Sequence, residues 1–243
     1  MTTAARRAVV QQVQGRYPVS ERAACRMLGF ERTALRYVPQ RPGRDAALCE
    51  ELRALAATWD AAKPRDEIEA GVVRGLDLLG DVRGFRAIDL GAGPGRLEPF
   101  LLPRLGDGCV VSVDFAPEMV VRGAMEVRDS RVTWLCRDVL ETGLPDACAE
   151  LVLCFDAWAH FPDGPAVLRE ARRWLASGGL LLLWHDLGRE RLAEVHRRAG
   201  RAVSRDLLPP VRALAVAARE AGLAVERAEE DARSWTLLAR RPR

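Results

Sequence analysis

Ala87-Ile88-Asp89-Leu90-Gly91-Ala92-Gly93-Pro94-Gly95-Arg96 runs from an apolar stretch through an acid into three glycines at alternate positions. An apolar run of this kind reads as a strand buried on both faces. Glycine after it lets the backbone turn tightly and approach a ligand with no Cβ in the way. Dinucleotide enzymes share a glycine-rich turn between strand and helix, but their spacing wants another glycine where this chain has Arg96. No Walker-type lysine follows the loop.

Outward from this loop the period of the sequence is that of an α/β protein. Strand-like runs fall at 87–90, 110–115, 132–136, 151–155 and 180–184, with helical stretches at 97–105, 117–128 and 165–176. Several of these strands are continuously apolar, which predicts a doubly wound, mostly parallel sheet. A helix at 211–221 and two closing strands at 223–227 and 235–239 bring the sheet to seven strands. Gly178-Gly179, taken alone, reads as the C-cap of the helix before it.

The 243 residues have 49% apolar and 29% charged side chains, the balance of a globular protein with a sizeable core. No apolar run approaches the ~20 residues of a membrane span, and the arginine-rich start has no signal-peptide core. The six cysteines include no C-x-x-C pair, so neither a zinc framework nor disulfides are expected and a reducing cytoplasm fits best. No metal site is expected: His185, Asp186 and His196 could be written as a trio, but no ligand spacing favours it.

The ordered motifs resemble the Rossmann-like S-adenosylmethionine-dependent methyltransferases over about residues 56–241. The 87–96 stretch is similar to motif I of that family. Val111-Ser112-Val113-Asp114-Phe115-Ala116-Pro117-Glu118-Met119 resembles motif II, Cys136-Arg137-Asp138-Val139 motif III, and Leu151-Val152-Leu153-Cys154-Phe155-Asp156 the fourth strand. Leu168-Arg169-Glu170 through Gly178-Gly179-Leu180 resembles the run that leads into strand five. The resemblance implies that S-adenosylmethionine is held by Asp89, Gly91, Ala92, Gly93, Gly95, Asp114, Phe115, Met119, Asp138, Val139 and Phe155. Asp114 would take the ribose hydroxyls, a task a carboxylate suits because it accepts two hydrogen bonds at once. Asp138 would contact the adenine amino group.

Ligands of such sheets bind beyond the carboxyl ends of the strands. His160 and His185 fall just after strands four and five, which makes them the candidates for acid–base or substrate-orienting work. The segment opened by His185-Asp186, with Arg189, Arg191, Glu194 and His196, could line an acceptor pocket or form a solvated helix. The family's DNA amino-methylating motif is absent, since Asp156-Ala157-Trp158-Ala159 lacks its prolines, and no Pro-Cys dipeptide marks a cytosine nucleophile. A small-molecule methyl acceptor is therefore expected.

The first 44 residues carry nine arginines against two acids in a chain of net charge +3, so the rest is mildly acidic. Cys25, Gly29 and Leu35 have helix-turn-helix spacing, with Ala24, Leu28 and Val38 at further core positions. Residues 19–37 resemble the head of integrase-type insertion-sequence transposases, a likeness that covers about residues 1–57 and leaves 58–243 as the methyltransferase-like domain. It implies duplex DNA as a partner through Arg32, Thr33 and Arg36. The head then reads as a DNA-binding module, a remnant, or an arm packed on the body. The competing whole-protein reading is a DNA-binding regulator whose methyltransferase fold senses the cofactor or is vestigial. The body carries every motif needed to close a seven-stranded sheet, so a chain starting near Asp45 is expected to stay folded and bind S-adenosylmethionine.

Overall fold

A computed structural model describes residues 9–10, 13–14, 20–28, 65–199, 203–204 and 206–243. Two helices come first, α1 (Glu21–Met27) and α2 (Arg65–Leu76). An alternating series follows: β1 (Arg86–Leu90), α3 (Glu98–Leu105), β2 (Cys109–Asp114), α4 (Pro117–Glu126), β3 (Val132–Cys136) and β4 (Ala149–Phe155). The chain ends with α5 (Gly164–Trp174), β5 (Leu175–His185), α6 (Arg189–Ala199), α7 (Val211–Glu220), β6 (Ala224–Glu230) and β7 (Trp235–Arg240). The seven strands form one sheet of order β3-β2-β1-β4-β5-β7-β6. The pairs from β3 through β5 are parallel, and β7 is antiparallel to both β5 and β6.

The order reverses between β1 and β4, and their carboxyl ends open a crevice at that switch point. Residues 151–155 of β4 and 180–185 of β5 are all buried, as expected of central strands covered on both faces. One face packs α5 and α7 through Leu168, Trp174 and Leu214. The other packs α2 and α3 through Val72, Leu76, Leu101 and Leu105. Trp184 ties α2 down, its indole Nε1–H donating to the Gly71 carbonyl at 3.1 Å.

Gly178-Gly179 does not cap α5. That helix ends at Leu175, whose backbone is already extended at φ −64° and ψ 134°, and both glycines lie inside β5. Gly178 has φ +80°, and the β4–β5 register slips between Ala149 and Leu151. The pair therefore serves an irregularity of the strand, the other backbone role open to glycine.

Of the basic head, α1 and the helical residues Val9, Val10 and Val13 are described. Ala24, Cys25 and Leu28 were expected to fill the inside of a helix-turn-helix. With the three valines they pack on Val120, Trp134, Cys136 and Ala92 of the body. Thus the head shares a core with β3, α4 and the glycine loop. Gly29, Arg32, Thr33, Leu35, Arg36 and Val38, and the expected domain boundary near residue 57, lie outside the described residues. No described helix is long and apolar enough to cross a membrane.

Candidate active site

The glycine loop is locked to the end of β2. Gly91 and Ala92 donate their N–H groups to the Val113 carbonyl at 2.8 and 3.0 Å. Asp114 Oδ2 accepts the Gly93 N–H at 2.9 Å, and its Oδ1 accepts the Ala116 N–H at 2.8 Å. One carboxylate thereby fixes two loops at neighbouring strand ends, and its remaining lone pairs are available to a ligand.

The glycines divide the work. A Cβ on Gly91 would stand 2.4 Å from that of Ala157, and one on Gly95 would stand 3.0 Å from both the Trp134 ring and Val127. These two permit close packing. Gly93, at φ +57°, would meet nothing within 4 Å, and it lines a cavity of about 350 Å³.

Around that cavity stand Asp89, Gly91, Ala92, Gly93, Asp114, Phe115, Met119, Phe155 and His160, all named from the sequence. Gly95, Asp138, Val139 and His185 are not part of its wall. Gly95 is occupied by packing on Trp134, as above. Asp138 is exposed and caps the short 3₁₀ turn Val139–Glu141, its Oδ1 accepting the Leu140 N–H at 2.9 Å. Val139 is buried in the core beneath α5.

His185 is buried at the end of β5. Its ring stands edge-on to Trp235, centroids 5.6 Å apart, and its Nδ1 is 3.4 Å from Asp156 Oδ1. What it contacts is Asp156, a cavity residue held at φ +52° whose Oδ1 also accepts the Asp186 N–H. His185 thus stands outside the cavity wall, buried behind Asp156.

His160 ends the 3₁₀ turn Trp158–His160 and does face the cavity. Its Nδ1 lies 2.8 Å from Asp206 Oδ2. Its ring centroid is 5.0 Å from that of His196, whose Nδ1 donates to the Asp206 carbonyl at 2.6 Å. Burial lowers the His196 pKa, so this ring stays neutral at physiological pH. Along α6, Arg191, Arg197 and Arg198 are exposed while Leu192 and His196 are buried. The helix sends no side chain into the cavity wall; Val203 and Asp206, which follow it, supply that part. Neither was singled out in the sequence, because no motif surrounds them and Asp206 is 46 positions from His160. Among the described residues no group of three or more His, Cys, Asp or Glu side chains could hold a metal ion.

Residues 88–183 match the family model described as "Methyltransferase domain". An Aquifex aeolicus SAM-dependent methyltransferase superposes with a TM-score of 0.63 at 18% identity, over 76% of this chain and 98% of that chain. The fold is the Rossmann-like methyltransferase fold. The chain is 32% identical over 134 residues to the "Ubiquinone biosynthesis O-methyltransferase" of Xanthomonas oryzae pv. oryzae, which covers 51% of this chain and 54% of that protein. It is 31% identical over 173 residues to the "27-O-demethylrifamycin SV methyltransferase" of Amycolatopsis mediterranei, covering 65% of this chain and 62% of that protein. The chain therefore spans a little more than half the length of the curated relatives it matches.

In this methyltransferase fold the buried Asp89 and Asp114 line the cavity, while the buried Glu98 lies outside its wall. Asp89 is 2% exposed, and its pKa is pushed well up by burial, with Glu98 and Asp114 adding to the effect. Burial also raises that of Asp114, opposed by its two N–H donors and by His160. Glu98 is fully buried, and burial pushes its pKa to about 7 despite the Ser112 hydroxyl, which donates to Oε1. Its Oε2 has no hydrogen-bond partner.

A raised carboxyl pKa makes the protonated form the favoured one in the fold. Both folded and unfolded states are protonated below about pH 4.5, so the stability linked to Glu98 is full there. It falls as the pH rises from 4.5 to about 7, and above that the buried charge destabilises the fold throughout. Glu98→Gln is expected to gain about 3 kcal/mol over the parent at pH 8 and nothing at pH 4. Urea unfolding at the two pH values checks this; equal gains at both would contradict a buried ionisation.

Proposed function

We propose that the chain is an S-adenosylmethionine-dependent methyltransferase acting on a small-molecule acceptor. The observation that carries this reading is the open Cβ position of Gly93 above the Asp114 carboxylate, a cradle that any side chain would fill. The donor set fits the cofactor's charge, because Asp89 and Asp114 line the cavity and a bound cation would favour the ionised carboxylates that burial alone disfavours. Asp114 would hold the ribose hydroxyls and Asp89 the cationic amino end. Phe115, 53% exposed at the rim, and Met119 would offer apolar contact to the base. When bound, the cofactor supplies a methyl group activated by a positively charged sulfur.

The chain's own part is to position the acceptor and remove its proton, and His160 is placed for both. The two named relatives are, by their names, enzymes that act at oxygen in ubiquinone biosynthesis and on a rifamycin, which supports a small oxygen acceptor.

Calorimetry with S-adenosylmethionine tests the reading directly. Binding of a single equivalent is expected, with release of S-adenosylhomocysteine once an acceptor is supplied; a full chain that binds no cofactor rejects it. His160→Ala is expected to keep that binding and lower turnover by about 100-fold, the lower end of a lost positioned base. Near-normal turnover across the pH range would remove His160 from the reaction.

A further inference from the structure

We propose that Glu98 is a positioning residue for the cationic end of the cofactor. With Asp89 it holds a proton in the unliganded chain and releases that proton when the cation binds, so affinity for the cofactor rises with pH. This rests on the methyl-transfer reading above and deepens it, adding to the carboxyls of the cavity one that lies outside the wall and acts through Asp89.

Glu98 opens α3 directly after the glycine loop, a place where the helix end favours negative charge. It is fully buried all the same: Oε1 receives the Ser112 hydroxyl, and Oε2 has no hydrogen-bond partner. A buried carboxyl left half unpartnered costs stability, and such costs concentrate at functional sites. The charge it faces is that of Asp89, on β1, which lines the cavity; the two repel, and Glu98 adds to the upward push on the Asp89 pKa. Around the pair stand Asp114 of β2, on which His160 and Glu118 act in turn, and Cys154 of β4, whose thiol burial keeps neutral. Arg96, two positions before Glu98, lines the cavity. The helix α2 meets α3 through Val72, Leu76, Leu101 and Leu105, and the Arg104–Asp77 ion pair lies at the far end of α3.

Without a ligand, burial and mutual repulsion make two ionised carboxyls costly, and Glu98 titrates at about 7. A cation beside Asp89 offsets both charges at once, so Glu98 titrates at a lower pH in the complex than without it. Below the lower value it is protonated in both states and adds nothing to affinity. Between the two values binding releases a proton to water and affinity climbs; above about 7 Glu98 is ionised in both states and the gain is complete. The charge that destabilises the empty fold thereby strengthens the loaded one.

Calorimetry with S-adenosylmethionine on the full chain tests this by comparing the parent with Glu98→Gln, which fixes the neutral form. Affinities equal within about twofold are expected at about pH 5.5, and binding about tenfold weaker in Glu98→Gln at about pH 8, equivalent to roughly one pKa unit. The cofactor's own amino group titrates at about 7.7–8.0 with either chain and cancels from the comparison. At about pH 6.5, titrations in PIPES and in imidazole, whose ionisation enthalpies differ, should show about half a proton more released by the parent. A merely structural role would not give this pattern, because Glu98→Gln is the more stable chain at about pH 8 and would then bind at least as well. Ser112→Ala is a second test: it removes the hydroxyl that favours the ionised carboxyl and should move the rise in affinity to higher pH. A parent-to-Glu98→Gln affinity ratio constant across this range, or a profile unmoved by Ser112→Ala, overturns the role of Glu98 and leaves the methyl-transfer reading standing. Absence of cofactor binding by the parent at every pH rejects that reading, and the role of Glu98 with it.

Discussion

Gly93→Val is expected to weaken S-adenosylmethionine binding by about a thousandfold or more, equivalent to roughly 4 kcal/mol. The valine methyl groups would stand in the cavity itself, because a Cβ at this position meets no protein atom within 4 Å. The backbone there has φ +57°, where a β-branched residue is strained by about 1–2 kcal/mol. Relief of that strain would move the Gly93 N–H off Asp114 Oδ2 and loosen the carboxylate that fixes both loops. The body should nevertheless fold, since nothing in it occupies the space that the side chain enters. Calorimetry with the cofactor and circular dichroism on the same sample check both halves. Gly95→Val should behave differently, because its Cβ would press on Trp134 and Val127 and the damage would appear first in stability. Equal affinity of parent and Gly93→Val would remove the loop from the binding site.

A chain beginning near Asp45 is expected to lose about 4 kcal/mol of stability or more, against the self-sufficient body that the sequence suggested. Six head residues, Val9, Val10, Val13, Ala24, Cys25 and Leu28, are buried in a cluster with Trp134, Val120, Cys136 and Ala92. Burial of one valine or leucine contributes about 1.5–3 kcal/mol, and the entropy of ordering the segment offsets part of the total. The remainder is a large share of the 5–15 kcal/mol typical of a folded domain. It corresponds to a melting temperature lower by about 10 °C. Ala92 belongs to the same cluster and lines the cavity, so cofactor affinity should fall along with stability. Thermal denaturation of the two chains side by side decides the matter: melting within about 2 °C would show that the head's packing is dispensable. Leu28→Ala in the full chain should reproduce part of the loss, about 2–3 kcal/mol, from the cavity it leaves.

Apolar runs broken by turns locate all seven strands to within a few residues. β5 departs most, starting at Leu175 five positions before the expected 180. The error came from Gly178-Gly179, since a glycine pair looks the same in sequence whether it ends a helix or bends a strand. The glycine loop and Asp114 were equally legible, because their chemistry depends on local backbone conformation and on a strand-end position that periodicity reveals.

The histidines show the opposite case. In the sequence His160 and His185 both follow apolar strand-like runs, 151–155 and 180–184, and nothing local distinguishes them. Packing does: Trp235, from a strand fifty positions onward, covers His185, while His160 stays open to the cavity. Asp138 resembled a ligand-contacting acid, and in the fold one of its two carboxylate oxygens caps its own turn.

The fold class, the seven strands and the glycine loop were thus determined by the sequence alone, through apolar periodicity and through glycine and carboxylate placement that act over a few residues. Only the tertiary structure decided which histidine meets the cavity, that Asp206 holds it, and that Ala24, Cys25 and Leu28 serve the body's core. Those outcomes depend on contacts between residues distant in the chain, where burial and hydrogen-bond geometry choose among side chains that composition and spacing leave equivalent.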